Sequence, residues 1–200
     1  MKGSLLIALC FLGGVMLGRF VDLPAIFLGE ELTLYVLYAL MFLVGISIGS
    51  DQKTLSALKQ QNWRIFLIPM ATWVGTFGGM VLISLVLGHR SLTDYLAVGA
   101  GFGYYSLSAV FITQYKGAEL GTIALVSNII RELFALLTAP LLVKYFGRLA
   151  PISVGGATTA DTTLPVITKY SGKEFVVISV VHGVLVDLSV PFWVSLFCAL

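Results

Sequence analysis

Seven stretches of this chain are apolar over roughly the length that a bilayer crossing demands, about 20 residues. Five are uninterrupted: Ser4 to Phe20, Leu32 to Gly49, Ile65 to Leu87, Leu120 to Phe146 and Phe175 to Leu200. The other two, Leu92 to Tyr115 and Leu149 to Tyr170, carry glycine and hydroxyl residues at mid-depth, in GAGFGYYSLS and GGATTADTTLP. Hydrophobic residues fill 58% of the 200 positions and charged residues 11%, against about a quarter charged in soluble domains. So little polar material cannot coat a water-facing surface, whereas a bilayer solvates apolar faces directly. The expected fold is all-α and polytopic, with about five transmembrane helices plus two re-entrant or broken helical segments.

The two interrupted segments constrain the fold further. Glycine and hydroxyl runs release backbone groups from helical pairing. In lipid each unpaired group costs several kcal/mol, so such groups must face protein or a water-filled cavity. The alternative is a pair of ordinary spans whose small residues serve close helix packing. At the start of the chain, Lys2 precedes an apolar run in the manner of a signal peptide. No small-residue cleavage site follows, and Arg19 stands where one would fall, so the reading is an uncleaved first span. The polar stretch from Asp51 to Arg64 reads as a connecting helix at a membrane surface, with Trp63 at headgroup depth.

The interrupted segments also resemble each other. A shift of 55 residues lays Gly101 to Leu120 over Gly156 to Phe175. Gly101, Ile112, Thr113, Tyr115, Gly117 and Glu119 then meet Gly156, Ile167, Thr168, Tyr170, Gly172 and Glu174, and the register runs on until Glu132 meets Asp187. The single domain, residues 1–200, thus divides into three leading spans (1–90), a first repeat unit (91–147) and a second (148–200). Repeats with interrupted helices in matching positions point to a transport site.

With five full spans, eight Lys and Arg residues fall on one side and three on the other. With seven, the division is seven to four. The positive-inside rule favours the first arrangement, with the N-terminus cytoplasmic, the C-terminus outside and the repeats inverted.

Ionisable residues within apolar segments are candidates for function because burying their charge in a bilayer is costly. Asp161 lies among Thr158, Thr159, Thr162 and Thr163, an environment suited to a cation or an ammonium group; capping a half-helix before Pro165 is the plainer role. Glu132 sits mid-span, one turn from Asn128 on the same face. Arg131 points elsewhere and suits a structural counter-charge that pairs with a carboxylate. His182 and Asp187, five apart, fit either a proton relay or an inter-helix hydrogen bond. Tyr104, Tyr105, Ser106 and Ser108 form the polar interruption of the first unit, where aromatic faces could stack on an ammonium group.

Several classes find no support. GAGFG lies in an apolar segment and lacks the Lys-Ser/Thr of a phosphate loop. Cys10 and Cys198 fit neither a disulfide framework nor a metal site, and the net charge of +2 is scattered, so neither cofactors nor a nucleic-acid partner are expected. A non-enzymatic carrier is the leading reading; a membrane scaffold subunit, or an intramembrane protease using Asp161 and Asp187, are the competing classes.

The strings GISIGSD, GFGYYSLSAVFITQ, ELGTIALVSNIIRE, GATTADTTLPVITKYSG and HGVLVDLSVP closely resemble the bacterial lysine exporter family typified by LysO. The resemblance spans the chain. It implies an inner-membrane protein that exports L-lysine and, for some members, toxic lysine analogues; the expectation drawn from the residues is a secondary transporter for lysine or a similar cationic amino acid, coupled to a proton or sodium gradient. Its acidic transport residues would fall on Glu132 and Asp161. Single-chain members carry further spans ahead of the region matched here, so the expectation is either a small companion membrane protein that supplies them or a shorter homo-oligomer.

Overall fold

In the computed structural model the described residues are 63–200, together with isolated positions among the first 50 (13, 14, 16–20, 35, 39, 42, 46 and 50). The expected spans Ser4 to Phe20 and Leu32 to Gly49, and the connecting segment before Trp63, lie outside the continuously described region.

From Trp63 onward every regular element is helical. A 3-10 turn, Trp63–Phe66, leads into α1 (Leu67–Leu87). Then come α2 (Leu92–Gly99), α3 (Tyr105–Lys116), α4 (Ala118–Phe146), α5 (Ala150–Gly155), a 3-10 turn (Gly156–Ala160), α6 (Leu164–Tyr170) and α7 (Val176–Ala199). Three helices are long and apolar enough to cross a membrane: Leu67–Leu87, Ala118–Phe146 and Lys173–Ala199, the last including the turn before α7. They fall on the third, fourth and fifth uninterrupted segments expected above. The protein is a multi-pass helical membrane protein.

Both interrupted segments are broken helices. The first stops at Gly99 and resumes at Tyr105, and the second gives way to a 3-10 turn at Gly156 and resumes as an α-helix at Leu164. Each folds back on itself. At one end of α4, Arg90 pairs with Glu119, and Lys116 meets Asp94 at 3.6 Å, so the start of α2 and the end of α3 lie together. Ten residues into α4, Asn128 bonds to the tip between them: the Gly103 amide donates to Asn128 Oδ1 at 2.8 Å, and Asn128 Nδ2 donates to the Val98 carbonyl at 3.3 Å. At the other end of α4, Arg148 pairs with Glu174 at 2.7 Å, which brings the start of α5 and the end of α6 together. The hairpins α2–α3 and α5–α6 therefore run along α4 from opposite ends, and their tips meet near its middle.

The long helices turn only narrow stripes inward. On α4 the buried residues are Leu120, Gly121, Ala124, Asn128, Ala135, Ala139 and Leu142, spaced at three, four and seven. On α7, Ser179, Gly183, Val186, Val190, Val194 and Cys198 recur every three or four residues. Large apolar side chains such as Ile130, Phe134, Leu137 and Leu141 point outward. In lipid, burying apolar area supplies no drive for helices to associate, so small residues and inter-helix hydrogen bonds must hold them together. This pattern satisfies both needs.

Candidate functional site

The two hairpin tips and the middles of α4 and α7 line a half-open cavity of about 300 Å³, in which Asp161 is exposed. The first hairpin contributes Gly103, Tyr104, Tyr105 and Ser106; the second contributes Ala157, Thr158, Ala160, Asp161 and Thr162. Glu132 enters from α4, and Val184 and Asp187 from α7. Three carboxylates thus share one chamber, no Lys, Arg or His lines it, and none of the three forms an ion pair among the described residues. Asp161 and Asp187 are close enough to act on each other electrostatically, and both act on Tyr104. A low-dielectric wall magnifies such fields. The first turn of α3 faces the same space; the Tyr105 amide donates to the Gly103 carbonyl at 3.0 Å and that of Ser108 to the Tyr104 carbonyl at 3.2 Å, and the positive end of the helix dipole gives an acidic chamber one electropositive edge.

Local structure explains how the tips reach one another. The Ala157 amide donates to the Phe102 carbonyl at 2.9 Å. Phe102 is the one non-glycine residue with positive φ (46°) among the described residues, a conformation that needs outside support. Support comes from the Phe77 ring, edge-on at 5.4 Å, and from the Arg131 guanidinium, 5.8 Å from its ring centre. Across the contact, Gly156 has φ of 64°, and a Cβ there would collide with the Phe102 carbonyl oxygen. On α7, Gly183 lets the Ala160 backbone approach so closely that a Cβ would lie 2.5 Å from its nitrogen.

The residues singled out in the sequence divide into two groups. Asp161, Glu132, Asp187, Thr158 and Thr162 line the cavity; Asn128, Thr159, Thr163, Arg131 and His182 do not. The four threonines therefore do not all surround Asp161. Thr159 is fully buried, with its hydroxyl 2.8 Å from the Gly156 carbonyl and 3.0 Å from that of Ser179, while Thr163 accepts from the Thr158 hydroxyl at 3.3 Å. Nor does Asp161 cap α6. Its Oδ1 accepts the Thr162 amide at 2.5 Å, and the N-cap residue of α6 is Thr163, which makes no side-chain cap bond.

Arg131 corrects the expectation of a carboxylate partner. Its Nε donates to the Val154 carbonyl at 2.9 Å, and its terminal nitrogens donate to the Ser153 carbonyl at 3.2 Å and Thr76 Oγ1 at 3.1 Å. The counter-charge is the carbonyl-rich C-terminus of α5, which carries partial negative charge and lacks helical donors. His182 stands apart from Asp187. Its Nε2 lies 2.9 Å from Thr72 Oγ1, and its Nδ1 3.1 Å from Thr159 Oγ1. Thr72 and Thr76 were not singled out in the sequence. Their signal was two hydroxyl residues one turn apart in an otherwise apolar span.

A family profile described as "Lysine exporter LysO" matches residues 8–198. The chain is 32% identical over 169 residues to "Lysine exporter LysO" of Escherichia coli (strain K12), an alignment covering 84% of this chain and 56% of that protein. It is 33% identical over 164 residues to the protein of Haemophilus influenzae named "Putative lysine exporter", covering 82% of this chain and 83% of that protein. The chain thus spans little more than half the length of the first relative. No solved structure matches it significantly. With 191 of 200 positions inside the family profile, the chain belongs to the lysine exporter LysO family.

Proposed function

We propose that the protein is a secondary transporter that exports lysine or a similar cationic amino acid, driven by a proton or sodium gradient. One observation carries this reading: three carboxylates converge, with no basic side chain, on a cavity where two broken helices meet. A desolvated ammonium group needs closely placed counter-charge, and interrupted helices at mid-membrane are the usual seat of substrate and coupling ion. Asp161, on the tip of the second hairpin, receives the substrate ammonium or the coupling ion. Glu132, on α4, is neutralised in turn by proton and substrate. The open first turn of α3, beside Ser106, suits the substrate carboxylate.

In this reading each hairpin is re-entrant and each is followed by a full span. The units α2–α4 and α5–α7 form an inverted pair, with three spans among α1, α4 and α7 and two more in the leading residues. Lys144, Arg148, Lys169 and Lys173 lie toward the cytoplasm of a bacterial inner membrane, Arg90 and Lys116 toward the outside, and the C-terminus outside. Opposed hairpins whose tips touch suit alternating access, because rocking one unit against the other opens either mouth.

The test is export of labelled lysine from loaded vesicles carrying wild type, Asp161→Asn or Glu132→Gln. Loss of export in both variants, with the proteins still folded, is the expected result. Export at wild-type rates in both would overturn the assignment.

A further inference from the structure

Asp187 is the carboxylate that the reading above leaves without a task. It lies on α7 and faces the same cavity as Glu132 and Asp161. In the 55-residue register its mate is Glu132, and the mate of Asp161 is Ser106, which also lines the cavity. The chamber is thus walled by two register-related pairs. One pair, on the long helices, is acidic at both positions; the other, on the hairpin tips, is acidic at one position and hydroxylic at the other. Pro191, four residues after Asp187 within α7, has no N–H to offer the Asp187 carbonyl, so the helix is weakened where it presents this side chain.

Two carboxylates on opposite long helices suit two cationic groups better than one. A single ammonium group neutralises one carboxylate and leaves its mate facing a low-dielectric wall without a partner. A substrate with two ammonium groups, separated by a short methylene chain, answers both.

We propose that Asp187 is a specificity-determining residue: it holds the side-chain ammonium of a diammonium substrate whose other ammonium meets Glu132, and so selects against amino acids with an uncharged side chain. This deepens the transport reading and rests on it. His182 takes no part, since both of its ring nitrogens face threonine hydroxyls.

The experiment uses the full chain in proteoliposomes. Counterflow of labelled lysine is competed with unlabelled lysine or with norleucine, which shares the carbon skeleton and lacks the terminal ammonium. In wild type, norleucine competes more weakly than lysine by about tenfold or more, the worth of one charge-assisted hydrogen bond. In Asp187→Asn and Asp187→Ser, lysine loses that advantage and the gap narrows to about threefold or less, while norleucine is unaffected. Asp187→Glu keeps the charge and restores most of the gap. A folded neutral variant with the wild-type gap overturns the proposal, and so does a wild type that does not discriminate between the two. Wild type without any lysine counterflow instead sinks the transport reading, and this proposal with it.

Discussion

The amide of Ala157 donates to the carbonyl of Phe102 at 2.9 Å, and this bond joins the tips of two hairpins that run from opposite ends of α4. Neither tip closes the cavity alone. Gly103 to Ser106 and Ala157 to Thr162 must both be present for Glu132 and Asp187 to share one cavity. The seam between the tips therefore sets the geometry of the acidic chamber.

Gly156 is the tightest point of that seam. Its φ of 64° disfavours any side chain, and a Cβ would strike the Phe102 carbonyl. Gly156→Ala is expected to cost about 1–3 kcal/mol in backbone strain and to part the tips. Lysine export should fall more than thermal stability does. Wild-type export with a wild-type unfolding temperature would show that the seam tolerates opening.

Asn128 holds the first tip from below. It accepts from the Gly103 amide and donates to the carbonyls of Ala124, at 2.9 Å, and Val98. Asn128→Ala leaves the buried Gly103 N–H unsatisfied, a loss of about 1–3 kcal/mol. Asn128→Asp keeps the acceptor for Gly103 but turns a carboxylate oxygen onto the Ala124 and Val98 carbonyls, so it should be no more stable than Ala. Unfolding temperatures in detergent check that both variants fall below wild type and that Asp does not rescue.

The division between what the sequence revealed and what it concealed follows the range of the forces involved. From Trp63 onward helix ends came within two residues, because apolar length, Gly117, Gly147 and the interrupting runs act locally. The breaks were legible for the same reason, as one of two readings: the runs GAGFG and GGATT loosen a helix locally, while small residues also suit close helix packing. That Asp161, Glu132 and Asp187 meet in one chamber was only hinted at, through the 55-residue register and the depth of each residue. The partners of Arg131 could not be read. A buried guanidinium suggests a carboxylate, and only the fold reveals that the C-terminus of α5 stands in its place. Thr159 looks equivalent to Thr158 in the string TTADTT, yet turns away, because the 3-10 turn Gly156–Ala160 rotates successive side chains by about a third of a circle; Thr163 lies beyond that turn, buried at the N-cap of α6.

Arg131 ties three elements: α4, the C-terminus of α5 and Thr76 of α1. Each hydrogen bond to a charged group contributes roughly 1.5–3 kcal/mol, and only a planar fork reaches three acceptors in different directions. Arg131→Met should therefore destabilise more than Asn128→Ala. Arg131→Lys should fall between wild type and Met, because an ammonium cannot span the Ser153 and Val154 carbonyls and Thr76 at once. Equal unfolding temperatures for Lys and Met would mean that the charge itself contributes nothing.

His182 separates two views of α7. A relay with Asp187 would make export and its dependence on the gradient collapse in His182→Gln. The geometry gives a different expectation. The side chain is fully buried, its two nitrogens face Thr72 and Thr159, and no hydrogen bond joins it to Asp187 among the described residues. A neutral ring has one N–H and one bare nitrogen, so one threonine accepts from it and the other donates to it. Thr72 is the better donor, because the Ile68 carbonyl it otherwise meets, at 3.1 Å, already lies within a helical stretch. Thr159 is the better acceptor, since its hydroxyl proton is held by the Gly156 or Ser179 carbonyl. His182→Gln can keep one of these contacts and not both. It should lower the unfolding temperature by the equivalent of about 1 kcal/mol or more while export remains coupled to the same gradient. Thr72→Val should be milder than Thr159→Val, which also strips the bonds that seat the second hairpin on α7. Loss of coupling in a stably folded His182→Gln protein would restore the relay.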